Sequence, residues 1–244
     1  MFSPVLFALA SLTAASPLAT RDWQPGNYPP YNVIGASGIT LVANLSNPTT
    51  AIFDPPVHGW TLSSVHVGAG LNAAILDPSH GHVFFVNGSG PEISGEATSL
   101  NLPPFNSTSG PVPQGLVYSQ AEDKSKGYLS VNFGYGTKGF GIRAGLRSQY
   151  PVLFNPTGHT EFMVCNVSVP VYGRPQYPVF VVEEHAAVPD NCALMHLLPQ
   201  CASIEEPLLG GEEFGWQPVG ASCYPDVKAL DWQKYSDPVY WGSA

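Results

Sequence analysis

Residues 161–201 read EFMVCNVSVPVYGRPQYPVFVVEEHAAVPDNCALMHLLPQC. Within this stretch Val179, Phe180, Val181 and Val182 form an unbroken run of β-branched and aromatic residues. A short continuous apolar run of this kind predicts a strand buried on both faces. Phe162 and Val164 predict a neighbouring strand, and Ala193 to Leu198 a third. Three of the four cysteines (Cys165, Cys192, Cys201) punctuate the same forty-one residues. The stretch therefore carries both the fold class and the redox compartment.

Working outward, the β pattern continues. Ile39, Leu41, Ala43 and Leu45 alternate with Thr40, Val42 and Asn44, the signature of a half-buried strand. Between Trp60 and Gly88 lie three short apolar runs: Leu62 to Val67, Ala74 to Leu76, and Val83 to Val86. Their turns are short, which predicts an antiparallel meander. From Asn87 to Gln114 the chain becomes rich in Gly, Ser, Pro and Asn and reads as a long surface loop or a hairpin tip decorated with glycans. A second dense block follows at Leu116–Tyr118, Tyr128–Phe133 and Gly139–Ile142, with a solvated turn at residues 122–127. The glycines at 134, 136, 139 and 141 lack the GxGxxG spacing and the following helix that would cradle a phosphate, so they read as bulges or turns. Helical periodicity holds nowhere for more than two turns, and no internal repeat is visible. These features predict an all-β protein: an antiparallel β-sandwich or barrel-like domain over residues 31–201, with long Pro/Gly-rich loops. Residues 202–244 read as a C-terminal arm packed on that domain.

Residues 2–12 are largely apolar and too short to span a bilayer, and small residues follow at 13–16. This pattern predicts a signal peptide over 1–15, cleaved after Ala15, and a flexible proline-rich lead-in over 16–30. No transmembrane span is expected in the remainder. Four cysteines behind a secretion signal imply two disulfides with three possible connectivities. Sequence order favours Cys165–Cys192 and Cys201–Cys223, each of which closes a modest loop. A zinc site would call for closely spaced ligand pairs such as CxxC, which the chain lacks. Sequons stand at Asn44, Asn87, Asn106 and Asn166, whereas Asn47 is blocked by the proline that follows it. The formal net charge is −9, and charged residues make up 11% of the chain, against about 25% in an average domain. Without a basic cluster, a nucleic-acid partner or an anionic membrane surface is disfavoured.

Few residues suggest chemistry. Glu183-Glu184 and Glu212-Glu213 could supply one carboxylate each to a glycoside-hydrolase pair, because neighbours on a strand point to opposite faces. His80 and His82 could form half of a metal site, completed by His58 or His66. No Gly-x-Ser-x-Gly elbow is present, which argues against a serine hydrolase. Trp216, Trp232 and Trp241 in the tail could stack on sugar rings or pin the arm to the sheet. Neither a catalytic set, a cofactor nor a metal is assigned.

The order Gly139-Phe140-Gly141, Phe162-Met163-Val164-Cys165, Tyr177-Pro178-Val179-Phe180-Val181 and Asp190-Asn191-Cys192 resembles a family of small secreted fungal proteins. That family includes the phialide cell-wall protein, IgE-binding-type proteins and related domains without assigned function. The resemblance spans residues 60–200. It implies that Cys165 and Cys192 are partners and that the role is non-enzymatic, in the wall or on developing surface structures. The expected protein is a secreted fungal cell-wall or extracellular glycoprotein whose partner is wall polysaccharide or an extracellular protein. Two alternatives stand beside it: a carbohydrate-binding or carbohydrate-active protein using the glutamates or tail aromatics, and a secreted effector that binds a host protein.

Overall fold

A computed structural model describes residues 29–68, 71–94, 97–120, 126–143, 150–168, 175–182, 187–204 and 214–235. The expected signal peptide, most of the lead-in, Glu183, Glu184, Glu212, Glu213 and Trp241 lie outside the described residues.

The fold is all-β and barrel-like. Its strands are β1 (Asn32–Ala36), β2 (Gly38–Leu45), β3 (Thr61–Gly68), β4 (Leu71–Asp77), β5 (Phe85–Asn87), β6 (Ser99–Ser107), β7 (Gly110–Gln120) and β8 (Lys126–Phe133). They continue with β9 (Gly141–Arg143), β10 (Val152–Phe154), β11 (Glu161–Cys165), β12 (Val167–Ser168), β13 (Pro175–Gln176) and β14 (Val179–Val182). The last three are β15 (Cys192–Ala202), β16 (Pro218–Val219) and β17 (Ala221–Cys223). One helical turn, α1 (Gly90–Ser94), follows β5.

Eleven of these strands form one antiparallel sheet in the order β14-β11-β15-β2-β3-β4-β8-β7-β6-β5-β16, and β14 also pairs with β8. That last pairing returns the sheet on itself and covers the edge that the end strand β14 would otherwise leave open. The interior fills with side chains at every second position. Phe162 and Val164 of β11, Val179 and Val181 of β14, Met195 and Leu197 of β15, and Leu41 and Ala43 of β2 all join one core. The intervening residues Met163, Cys165, Val182 and Cys192 form a small cluster on the outer face. The Val179–Val182 run is thus covered on both sides, as its unbroken apolar character predicts.

β2 departs from the half-buried expectation. Val42, on its outer face, has no exposure and belongs to a second core with Tyr150, Val152, Phe154, Leu198, Tyr224 and Val227. β10 with the preceding Tyr150, and the chain after Cys201, supply the cover. Tyr224 donates its hydroxyl to Pro151 O at 3.0 Å, and burial pushes its acidity far out of the ordinary tyrosine range. Trp232 packs edge-on against Tyr224, with ring centroids 5.2 Å apart. The two disulfides, Cys165–Cys192 and Cys201–Cys223, hold β15 near both of its ends. β15 pairs with β11 on one side and β2 on the other, so the bonds clamp a central strand.

Two local expectations are corrected. The meander over residues 60–88 holds only for the β3–β4 hairpin; Phe84 crosses instead to Ile39 of β2, and β5 pairs with β6. Over 87–114 the surface-loop reading gives way to its alternative: α1 is followed by the β6–β7 hairpin. Prolines at 103, 104, 111 and 113 weaken the sequence signal of that hairpin, because proline cannot donate to a ladder. The chain tolerates them where the register shifts between Leu102 and Phe105, on a hairpin whose outer half is exposed. Its inner half is anchored by buried Leu100, Leu102 and Leu116.

Candidate functional site

The outer cover ends before it reaches the C-terminal end of β2, and this boundary creates two neighbouring recesses. The first, about 370 Å³, is lined by Ala43, His58, Gly59, Trp60, Lys228 and Trp232, among others. The second, about 310 Å³, is lined by Asn44, Ser46, His58, His196, Asp231 and Tyr235, among others. His58 and Trp232 line both. β2 supplies the floor, the β2–β3 connection brings in His58 and Trp60, and a 3-10 turn at Trp232–Lys234 forms the opposite wall.

The side chains are held from behind. His58 accepts the Leu45 backbone N–H on Nδ1 at 3.2 Å, which places its proton on Nε2. Burial pushes its pKa below the ordinary histidine value, so the ring is neutral at pH 7. His196 is buried directly across the ladder from Asn44 and bonds Thr160 O through Nδ1 at 3.0 Å. The Trp232 indole donates to Val227 O at 2.9 Å, and Trp60 meets Tyr177 edge-on at 5.4 Å. Asp231 pairs with Lys234 Nζ at 3.1 Å.

A serine, two histidines and an aspartate thus line one recess, yet they are not wired as a charge-assisted triad. Such a triad needs the histidine Nδ1–H to face a carboxylate while Nε2 takes the serine proton. His58 Nδ1 is instead an acceptor for a backbone amide. Ser46 makes no side-chain hydrogen bond to the described residues. The arrangement suits binding: aromatic faces beside a few polar groups, the composition that sugar and small-ligand sites share.

The other sequence-predicted residues separate. Trp216 is buried, edge-on to Phe85 at 5.1 Å and tilted onto Phe214 at 4.9 Å, so its ring faces are occupied by packing and not open to a sugar. His80 is exposed in an Asp77-anchored turn, whereas His82 turns inward, with Nε2 2.8 Å from Ser64 Oγ and its ring edge-on to Phe84. His66 bonds Asn72 on the β3–β4 hairpin. Among the described residues no three His, Cys, Asp or Glu side chains gather as a metal site.

The sequon asparagines also differ. Asn106 is exposed near the β6–β7 tip. Asn87 Oδ1 accepts the Gln217 N–H at 2.7 Å, and Asn166 Nδ2 donates to Ile52 O at 2.9 Å. Asn44 faces the second recess. The sequence reading passed over Trp60, His196 and Tyr235, because a recess assembled from β2, β15 and a distant tail leaves no local motif. One signal was present: Asn44 follows Val42 by two residues and so shares its face.

Over 237 residues the chain is 29% identical to a protein of Stachybotrys chartarum named antigenic protein SchS34; the similarity covers 91% of this chain and 99% of that one. No solved structure matches it. Residues 36–201, from the end of β1 to Cys201, match a domain of unknown function designated DUF7907. Apart from β16 and the last residue of β15, the large sheet lies within that match, as does the Cys165–Cys192 disulfide, and the chain belongs to the DUF7907 family.

Proposed function

We propose that the protein is a secreted, non-catalytic fungal glycoprotein that works in or next to the cell wall. The observation that carries this reading is the pair of disulfides that holds β15 near both ends. Structural disulfides form and persist in oxidising compartments, and a reducing cytosol would leave these clamps open. The sequons, the sparse charge and a fungal relative named as antigenic agree with an extracellular setting. The non-catalytic part rests on the recess, where His58 is committed to a backbone amide and Asp231 to Lys234. Fractionation of the native host into cytosol, wall and medium tests the setting. The protein is expected in the wall or medium with both disulfides intact by non-reducing peptide mapping. A reduced cytosolic pool would overturn the reading.

A sugar-binding role is favoured by one specific observation: Trp60 and Trp232 are only partly buried and line the same 370 Å³ recess beside Lys228. If so, Trp232→Ala lowers retention on an immobilised polysaccharide while circular dichroism remains unchanged. Retention that survives the substitution in a folded variant would contradict it.

A further inference from the structure

We propose that Asn44 carries an N-linked glycan whose core sugars lie in the recess walled by Trp232 and Tyr235, so that the protein's own carbohydrate covers that face. The inference rests on the reading of the chain as a secreted glycoprotein and goes beyond it in naming the occupant.

Three observations converge on this position. Asn44-Leu45-Ser46 is a sequon, and all three residues line the recess. The Asn44 amide makes no side-chain hydrogen bond to the described residues, in contrast to Asn87 and Asn166. The outer face of β2 is fully covered at Val42 and only partly covered two residues later at Asn44. The cover stops where a modified side chain would need room.

The recess also matches the chemistry of the first sugars. A pyranose offers an apolar C–H face that packs on an aromatic ring, and its hydroxyls and acetamide need polar neighbours. Trp232 and Tyr235 stand with ring centroids 6.0 Å apart, and His58 and Asp231 supply polar atoms. The volume of about 310 Å³ lies at the small end of the range for ligand sites. Attachment follows the usual transfer chemistry. Asn44 Nδ2 forms a bond to the anomeric carbon as the bond from that carbon to a lipid-linked diphosphate breaks. The amide gives up one proton and the diphosphate leaves. The transfer precedes closure of the recess, because Tyr224 to Tyr235 are made long after Asn44 emerges.

The test uses the full chain secreted from a filamentous-fungal host. Glycopeptide mass spectrometry reads occupancy, and an endoglycosidase that cuts between the two core N-acetylglucosamines reads access. Asn44 is expected to be occupied, and its glycan to be released from the native protein about tenfold more slowly than from denatured protein, because access requires local opening. An occupied Asn106 should show no such difference. Trp232→Ala, or Tyr235→Ala if the first fails to fold, should remove the protection at Asn44. An unmodified Asn44 beside other occupied sequons would overturn the proposal alone. So would a native Asn44 glycan released as fast as the denatured one, or protection unchanged in Tyr235→Ala. A secreted protein with no glycan at any sequon would overturn the glycoprotein reading as well.

Discussion

His82 shows how a residue's chemistry is fixed by what surrounds it. Between Ser64 and Phe84 the imidazole is largely out of water, and burial pushes its pKa below 6.5; His58 is shifted the same way. The unfolded chain binds protons at these sites more readily than the folded one, so stability is full above pH 6.5 and is lost as pH falls through the lowered values. Glu92 does not confuse that window. Its ion pair with Lys138 and its bonds to Ser89 hold its pKa down to about 2, so its contribution is lost as pH falls from 4.5 towards that value, below the histidine window. Thermal unfolding of His82→Gln should therefore show a shallower fall in Tm between pH 7 and pH 5 than the parent. An unchanged slope would place the titrating group elsewhere. None of this was legible in the sequence, where His80 and His82 look equivalent. Their difference arises because Phe84 crosses to β2 and carries its neighbour inward.

β15 is the element on which the fold depends. It pairs along eight residues with β2 and five with β11, contributes to all three apolar clusters and carries two half-cystines. Cys201–Cys223 closes a separation of 22 residues, for which the loop-entropy relation gives about 3 kcal/mol. Replacing both with Ser should lower the unfolding free energy by about that amount in a denaturant titration. A loss under about 1 kcal/mol would mean that the second core alone holds the C-terminal segment. The β1–β17 pair depends on a close approach instead of a bond. A Cβ at Gly35 would fall inside the contact distance of the Gly220 backbone. Gly35→Ala is therefore expected to cost about 1–3 kcal/mol of stability although the position is exposed; a neutral result would show that the two segments separate freely. The strands around β15 were readable because their period-2 pattern is local and unbroken. The β6–β7 hairpin was legible only as the alternative to a loop, because four prolines weaken its strand pattern and its register shifts between Leu102 and Phe105.

At the scale of the whole molecule, two cores share β2 and β15. The inner one was legible, since alternating apolar residues announce a closed sheet. The outer one was not, because Val42 and Leu198 meet Tyr224 and Val227 only after the chain has returned from the far side of the fold. Leu198→Ala probes that outer layer. Full burial predicts a loss of about 2–5 kcal/mol, whereas a residue on an uncovered sheet face would cost less than about 0.5 kcal/mol. The recesses arise at the border of the same layer, which is why the sequence named Trp232, His58 and Asn44 separately, for unrelated roles, but not their meeting.

The most direct test of the proposed role is to incubate the purified, secreted glycoprotein with insoluble β-glucan, chitin and whole fungal walls, then assay the supernatant for released sugar. A non-catalytic wall protein predicts retention on the walls with no sugar released over the blank. Sugar release would establish catalysis and direct attention to Glu183, Glu184, Glu212 and Glu213, and a protein recovered wholly unbound would contradict the wall assignment.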